Sequence, residues 1–299
     1  MVGILYRTIS VYLILSLLCC GVSDASTKEH HSLWVVQGKH NKAYLLGSVH
    51  ILKDGMTLPP AVTAAYDDAK LLVMELDRAS LYSGGLKQSS LQLETLPEDQ
   101  TLAAALGPEL YAEFKIYASS LGFDTDFMSH YQPWFAAMTL QIYGYGKAGF
   151  NATSGVELQL LDKNFSPNGS GDAKPIVGLE TMEEQLRLFS HLSMEEQRQY
   201  LHTTIQESRI QTQQLQQIVD AWQRGDLDEL RKISMDSFKQ SPEFYKRVVT
   251  DRNQKWLPKF IDLLNGRENC LIVVGVLHLV GDGGMIELLQ HRGYKVVQQ

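Results

Sequence analysis

Two histidines lie in near-identical segments at opposite ends of the sequence. Residues 47–55 read GSVHILKDG, and residues 275–283 read GVLHLVGDG. Both segments have the order glycine, any two residues, histidine, two aliphatic residues, any residue and Asp-Gly. With 23 glycines and 9 histidines in the chain, roughly 0.7 G-x-x-H matches are expected by chance, so the short motif alone is weak evidence. The shared continuation raises the pair above chance and singles out His50 and His278.

The context of these segments indicates a catalytic metal site. Each follows an apolar stretch typical of a buried strand, and a third such stretch ends at Glu75. Catalytic groups in open α/β sheets collect beyond the carboxyl ends of strands. The motif glycines, Gly47 and Gly275, allow the backbone to turn tightly so that a histidine can point into a crevice. Two histidines and a carboxylate with an open position form a hydrolytic metal centre, which acidifies water and polarises a carbonyl. We therefore predict a site of His50, Glu75 and His278.

Other roles for these residues stay open. Each histidine could instead end its strand and bond a loop carbonyl, and Glu75 could be either a metal ligand or the general base. Asp77 could orient a ligand of the site or be a solvated charge at the strand end. Tyr131 could donate a hydrogen bond to a substrate, although a packed core position is the more usual role of such a tyrosine.

A further set of charged candidates comes from the middle of the chain. Arg252 could bind a substrate carboxylate or stabilise an oxyanion. It could equally form a structural ion pair with Glu157 or Glu180. These two acids either lie at the site or stand at the starts of helices, where a negative charge is favourable.

Strand patterns are concentrated at the two ends of the sequence, and these strands must position the site. The predicted terminal elements are strands 33–37 and 43–46, a helix over 60–70, strands 71–74 and 271–274, a helix over 284–291 and a strand 294–297. Helical spacing dominates the middle, about 94–265, apart from a strand at 175–179. We therefore predict one α/β domain over 26–299. Its mixed central sheet is built from the N- and C-terminal strands, and a large helical insert covers it.

The first 25 residues are predicted to be a signal peptide. Arg7 supplies a positive charge, an apolar run covers 11–20, and Ser23 and Ala25 are small residues at a cleavage site. The run is too short to span a bilayer comfortably. An uncleaved anchor and a lipoprotein signal are the alternatives. We predict an exported protein, periplasmic or extracellular, with no stable transmembrane span after cleavage.

The composition narrows the classes of partner. The net charge is -7, from 27 basic and 34 acidic residues without a Lys/Arg cluster, which argues against nucleic-acid binding. Without residues 1–25 the chain retains Cys270 as its only cysteine. An intramolecular disulfide is then impossible, and the apolar neighbours of Cys270 predict a core residue rather than a nucleophile. The composition specifies neither the oligomeric state nor the substrate, which could be a peptide or a small molecule.

The motif pair and several other blocks resemble the TraB/GumN family. The most specific blocks are LLGSVH at 45–50, VMELD at 73–77 and VVGVLHLVGDGGMIELL at 273–289. Softer matches are GVE at 155–157, GLET at 178–181, and Arg252-Asn253 followed by Trp256. The resemblance covers about residues 33–297, nearly all of the chain beyond the predicted signal peptide.

The resemblance implies a fold similar to that of erythromycin esterase and the haem-binding ChaN proteins, with a site at His50, Glu75 and His278. The animal Tiki proteins look like the metalloprotease branch of the family. This implies peptide-bond hydrolysis with a divalent ion such as manganese or cobalt, and we also keep zinc as a candidate. The leading hypothesis is an exported, Tiki-like metal-dependent hydrolase. The alternatives are a non-catalytic protein that holds haem or a metal in the same crevice, and a family member that binds no ion.

Overall fold

The computed structural model describes residues 30–77, 88–165, 173–239 and 241–299, so the predicted signal peptide over 1–25 lies outside the described residues. The strands are β1 (Leu33–Gln37), β2 (Lys42–Ser48), β3 (Leu52–Lys53), β4 (Leu71–Leu76), β5 (Phe150–Asn151), β6 (Ile176–Glu180), β7 (Cys270–Gly275) and β8 (Val296–Gln298). Six of them form a mixed sheet in the order β6-β4-β7-β2-β1-β8, and β3 pairs with β5 in a small second sheet.

Four neighbouring strands of the main sheet, β6, β4, β7 and β2, run parallel. Strands β1 and β8 extend the sheet in antiparallel pairing. The residues of β7 are buried except for Gly275, as expected for a central parallel strand that is covered on both faces. In the β2–β7 register Gly47 pairs with Val274 and Ser48 pairs with Gly275. The two motif glycines are therefore offset by one residue along the sheet.

Helices cover the faces of the sheet and form a separate helical layer. They are α1 (Pro60–Asp68), α2 (Gln88–Glu94), α3 (Leu102–Ser120), α4 (Pro133–Lys147), α5 (Val156–Phe165), α6 (Met182–Ser190), α7 (Met194–Gln206), α8 (Ser208–Gln223), α9 (Leu227–Phe238), α10 (Pro242–Tyr245), α11 (Asp251–Leu264), α12 (Val276–Val280) and α13 (Met285–Gln290). A π-helical turn, Lys246–Thr250, leads into α11. Helices α6 and α7 each begin with a capping box, in which a side-chain hydroxyl and a glutamate satisfy backbone N–H groups of the first turn.

Successive residues of the central strands face different apolar cores, because side chains alternate across a sheet. On β2, Leu46 faces a core shared with α1 and α5, whereas Leu45 faces a core that contains Trp256 and Phe260 of α11. A third core, around Phe114, joins α3, α4 and α7. The sheet is therefore packed on both faces. Polar groups can lie at the carboxyl ends of its parallel strands, which these cores do not cover.

The predicted α/β class and mixed sheet are confirmed, and β6 comes from within the region predicted to be mainly helical. Several predicted boundaries differ from the structure, and two of the differences concern the site. Glu75 lies inside β4, because pairing with β6 continues to Leu76, and His278 lies on α12, which begins as soon as β7 ends. Among the described residues, no helix is both long enough and apolar enough to cross a membrane.

Candidate active site

The carboxyl ends of the four parallel strands bring the predicted site residues to one edge of the sheet. His50 follows β2, Glu75 lies near the end of β4, and Glu180 is the last residue of β6. Strand β7 ends at Gly275, and His278 follows on α12. The parallel strands therefore collect two histidines and two carboxylates in one region, where α/β proteins usually bind their ligands.

Gly275 lies at the centre of this group. A methyl group on its Cα would lie 3.4 Å from Glu75 Oε1, 3.5 Å from His50 Nε2 and 3.7 Å from His278 Cδ2. A side chain here would occupy the space between the three groups, so glycine keeps that space open. Gly47 has a different role, since a methyl group there would lie 2.8 Å from Val276 Cγ2. It allows the two motif segments to pack closely.

His50 is held by a carboxylate on the side facing away from Gly275. Its Nδ1 lies 2.8 Å from Glu157 Oε1, which also accepts a hydrogen bond from Ser48 Oγ. Glu157 lies in the first turn of α5, and its charge raises the pKa of His50 to about 9. The His50 side chain is 60% exposed. Because Glu157 accepts a hydrogen bond from the Nδ1–H, Nε2 is the nitrogen that a ligand would meet once His50 has lost its second proton.

His278 is buried, and a neighbouring amide determines its tautomer. Asn253 Nδ2 donates to the carbonyls of His278 and Gly283, at 3.1 and 3.0 Å, so its Oδ1 must be the acceptor for His278 Nδ1 at 2.8 Å. Burial lowers the pKa of His278 to about 3, which leaves the imidazole neutral. Its Nε2 therefore carries a lone pair. The ring packs against Trp256, with 4.6 Å between centroids.

Glu75 is an ionised carboxylate with both oxygens hydrogen-bonded. Oε1 accepts from the Gly275 N–H at 2.8 Å, and Oε2 accepts from Arg252 Nη2 at 2.6 Å and Gln185 Nε2 at 3.2 Å. Burial opposes ionisation, but His278, which is protonated only in the acidic range where Glu75 titrates, the Arg252 guanidinium and the other neighbours outweigh it and lower the pKa of Glu75 to about 2. Its Oε1 lies 3.9 Å from His278 Nε2.

Arg252 is the buried cation of the site. It pairs with Glu180 through Nε, at 3.1 Å, and through Nη2, at 2.6 Å. Its Nη1 donates to Val248 O at 3.0 Å and to His278 Nε2 at 2.9 Å, and its guanidinium lies over Trp256. The structure thus shows the ion pair with Glu180 that the sequence left open, and it shows a second pair with Glu75. The donors are committed to protein acceptors rather than exposed to a substrate.

A crevice of about 250 Å³ opens beside these groups. Its lining residues are His50, Met74, Glu75, Leu76, Ala152, Glu157, Leu158 and Gln185. Asp77 follows β4 at the same edge, and its backbone packs against Gly178. Tyr131 does not line the crevice. It stacks on Phe135, at 4.7 Å between ring centroids, and contacts the third core.

The sequence of residues 32–298 matches the TraB/PrgY/gumN family. This chain belongs to that family. Two relatives are uncharacterised proteins named YbaP from Shigella flexneri and from Escherichia coli K12. Each is 24% identical over 271 residues, which cover 89% of this chain and 96% of the relative. An uncharacterised protein from Treponema pallidum is 23% identical over 195 residues, covering 62% of this chain and 57% of the relative. No solved structure matches.

Several residues of this TraB-family site were not singled out by sequence reasoning. Asn253 is fully buried and orients His278, Gln185 donates to Glu75, and Ser48 donates to Glu157. The signal for Asn253 was its place beside Arg252 in a family block, and Ser48 lies inside the first G-x-x-H motif. Gln185 carried no signal, because its contact with Glu75 spans 110 residues.

The chemistry of the donors fits a divalent ion. Both histidines have Nδ1 engaged by an acceptor, so an ion would meet Nε2 of each, in place of a proton on His50 and of the Arg252 hydrogen bond on His278, and Glu75 is ionised. Three carboxylates, Glu75, Glu157 and Glu180, outnumber the two cations, His50 and Arg252, so added positive charge is favourable. Within the described ranges, however, no three acidic, histidine or cysteine side chains are already spaced around one ion. An ion at these groups would therefore require side-chain adjustment.

Proposed function

We propose that this chain is a metal-dependent hydrolase that cleaves a carbonyl-containing bond, with a peptide bond as the leading substrate. The observation that carries the proposal is the approach of His50 Nε2, Glu75 Oε1 and the His278 ring to Gly275. Membership of the family agrees with the fold of the chain. The relatives carry names that assign no reaction to the family. The reaction is therefore inferred from the chemistry of the site.

The proposed ligands of the ion are His50, Glu75 and His278. When bound, a divalent ion supplies Lewis acidity towards water and towards a carbonyl oxygen. Glu157 and Asn253 hold the two imidazoles in the tautomer that presents Nε2. Arg252 Nη1 donates to that atom of His278, so an ion held by His278 would replace this hydrogen bond. Arg252 keeps its two hydrogen bonds to Glu180.

The pKa of Glu75 favours one of its two possible roles. A general base works best when its pKa lies near the working pH. The pKa of Glu75 is about 2, and both of its oxygens already accept hydrogen bonds. A carboxylate of this kind is a weak proton acceptor but a stable anionic ligand. We therefore assign Glu75 as a ligand rather than as the base.

The crevice favours a small substrate group over haem. Its volume of about 250 Å³ is below the ~300–1,000 Å³ of pockets that hold drug-sized ligands. Haem would also need a wide apolar pocket beside an axial ligand. Here the exposed imidazole of His50 is flanked by two carboxylates, Glu75 and Glu157. These features support turnover of a small group more than storage of a large cofactor.

An assay of hydrolysis before and after chelation tests the proposed function. A peptide library and a panel of p-nitrophenyl esters would be incubated with the natively purified chain, with the chain treated with EDTA, and with treated chain resupplied with manganese, cobalt or zinc. We expect hydrolysis that EDTA abolishes and one of the ions restores. His50→Asn should be inactive, and the control His291→Asn, at another exposed position, should be active. Hydrolysis that survives EDTA and His50→Asn would overturn the proposal.

We also propose that the chain is exported to the periplasm or the cell exterior. The support is the positively charged start, the apolar run and the small residues at Ser23 and Ala25. N-terminal sequencing of the protein from its own host tests this. We expect a mature chain that begins at Ser26 and fractionates outside the cytosol. A cytosolic chain that still begins at Met1 would contradict it.

A further inference from the structure

The crevice beside the proposed ligands has a polar side and an apolar side. The polar side is formed by His50, Glu75, Glu157 and Gln185. The apolar side is formed by Met74 and Leu76 from β4, Leu158 from α5, and Ala152. A volume of about 250 Å³ is below the ~300–1,000 Å³ of pockets that hold drug-sized ligands, so the crevice suits one acyl group with a medium side chain.

The charge of the lining residues argues against an acidic acyl group. Among the described residues that line the crevice there is no lysine or arginine, and His50, the cation of the lining, is paired with Glu157. The Arg252 guanidinium is committed to Glu75, Glu180 and His278. A substrate carboxylate in the crevice would lose its hydration beside two glutamates, Glu75 and Glu157, and the His50 charge is already paired with one of them, so burial of the carboxylate is costly. An apolar chain there would instead remove its own surface and that of the apolar wall from water. The crevice therefore favours uncharged apolar chains.

Two residues control the space that such a chain can occupy. Ala152 is exposed and begins the 3₁₀ turn Ala152–Ser154, so it borders the mouth of the crevice. This turn is fixed by Asn151 Oδ1, which accepts from the Ser154 N–H at 2.9 Å. Leu158 is half-buried on α5, directly after Glu157, and packs against the first core. A larger side chain at Ala152 would narrow the mouth of the crevice, and a smaller side chain at Leu158 would make the crevice deeper.

We propose that this crevice is the acyl pocket of the enzyme, selective for short, uncharged apolar acyl groups, with Ala152 and Leu158 as its specificity-determining residues. The inference rests on the proposed function, because it names the substrate class of the same site. As a pocket for apolar chains, however, it can be measured without turnover.

The binding test uses EDTA-treated full-length chain and three amides as probes. Acetamide is short, hexanamide matches the size of the crevice, and adipamic acid has the same chain as hexanamide but ends in a carboxylate. Binding would be followed by NMR titration of the His50 ring signals. We expect hexanamide to bind at least about tenfold more tightly than either of the others, since each buried methylene strengthens binding severalfold. Equal affinities for hexanamide and adipamic acid would overturn the proposal.

Variants of the lining residues, with a matched control, test which residues determine the preference for hexanamide. Ala152→Phe should remove the preference for hexanamide, whereas Thr153→Phe, at the next exposed position of the same turn, should retain it. Leu158→Ala should extend the preference to octanamide, which covers the case in which Ala152→Phe does not fold. Loss of the preference in both phenylalanine variants, or in neither, would overturn the assignment of Ala152.

The same variants in an ester assay separate this inference from the proposed function. Selective binding of hexanamide without hydrolysis of p-nitrophenyl hexanoate or acetate would support the pocket and contradict the hydrolase. Hydrolysis of both esters at equal kcat/KM would support the hydrolase and contradict the pocket. We expect the hexanoate to be preferred by about tenfold or more, and we expect Ala152→Phe, but not Thr153→Phe, to abolish that preference.

Discussion

Replacing Arg252 by methionine should strongly destabilise the fold, because it removes the buried cation between two buried carboxylates. The side chains of Arg252, Glu75 and Glu180 are only 11%, 10% and 3% exposed. Methionine keeps much of the apolar length of the side chain but leaves both glutamates without their shared partner. Removing one partner of a buried ion pair typically costs about 3–5 kcal/mol. We expect the free energy of unfolding to fall by about this amount at pH 7.

The pH dependence of this loss gives a more specific test. In the wild type the folded pKa of Glu75 is about 2, below that of an unfolded glutamate. Its stabilising contribution is therefore present above about pH 4.3 and is lost as the pH falls towards 2. In Arg252→Met, burial should raise the pKa of both glutamates above the unfolded value. As the pH falls, the two glutamates of the variant become protonated and lose their unpaired charge. The difference between wild type and variant in the free energy of unfolding should therefore be smaller at pH 4.5 than at pH 7.

Urea unfolding of EDTA-treated protein, followed by circular dichroism at both pH values, measures this difference. Arg231→Met is the control, because its pair with Asp282 is more than half exposed on both sides. Exposed pairs contribute about 0–1 kcal/mol, so the control should stay close to wild type. A loss in Arg252→Met that is no larger than in the control, or that is independent of pH, would refute the account of a buried cation shared by two carboxylates.

Three further predictions concern single groups. Burial raises the pKa of Cys270 to about 12, so iodoacetamide at pH 8 should modify this thiol only in guanidinium, as peptide mass mapping would show. The pKa of His50 is about 9 because of Glu157, so ion binding must displace a proton. Manganese affinity by calorimetry should therefore rise up to about tenfold per pH unit between pH 7 and 9, and a flat profile would contradict the ligand role. Gly155→Ala should cost about 1–3 kcal/mol in urea unfolding, since its methyl would lie 2.0 Å from His50 O, whereas Gly146→Ala meets no neighbour and should not destabilise.

The sequence predicted those features that depend on local patterns. Apolar runs with turn residues between them identified the β1–β2 hairpin and the buried strands β4 and β7. The repeated G-x-x-H segment then placed His50 and His278 at the same edge of the sheet, because parallel strands share the direction of their carboxyl ends. The alternatives for Arg252 included its pair with Glu180, which the structure contains.

The contacts that tune the site depend on packing between distant segments, and no local pattern specifies them. Glu157 meets His50 because α5 begins against the end of β2, where Gly155 allows close approach to the His50 backbone. Asn253 faces His278 only because α11 packs along α12 and β7. The short helix after β7 was missed for a related reason. Its five residues, Val276–Val280, are too few to show a helical period.

The burial of His278 affects the choice of variant for the central test. The His278 ring is 5% exposed and packs on Trp256, so His278→Ala would leave a cavity and an Asn253 side chain without its partner. A loss of ion binding in that variant could not be distinguished from a loss of stability. His50 is exposed, and His50→Asn offers Glu157 an amide N–H in place of Nδ1–H while removing Nε2. This variant changes the proposed ligand and retains its support.

The most direct test of the central claim is the divalent-ion content of the natively purified chain, measured by elemental mass spectrometry. The proteins to compare are the wild type, His50→Asn and the exposed control His291→Asn. We predict close to one ion per chain in the wild type and the control. In His50→Asn we predict a loss of most of the ion, at an unchanged circular dichroism spectrum. Equal ion content in all three proteins, or no divalent ion in freshly purified wild type even after addition of manganese, cobalt or zinc, would contradict a metal site at His50, Glu75 and His278.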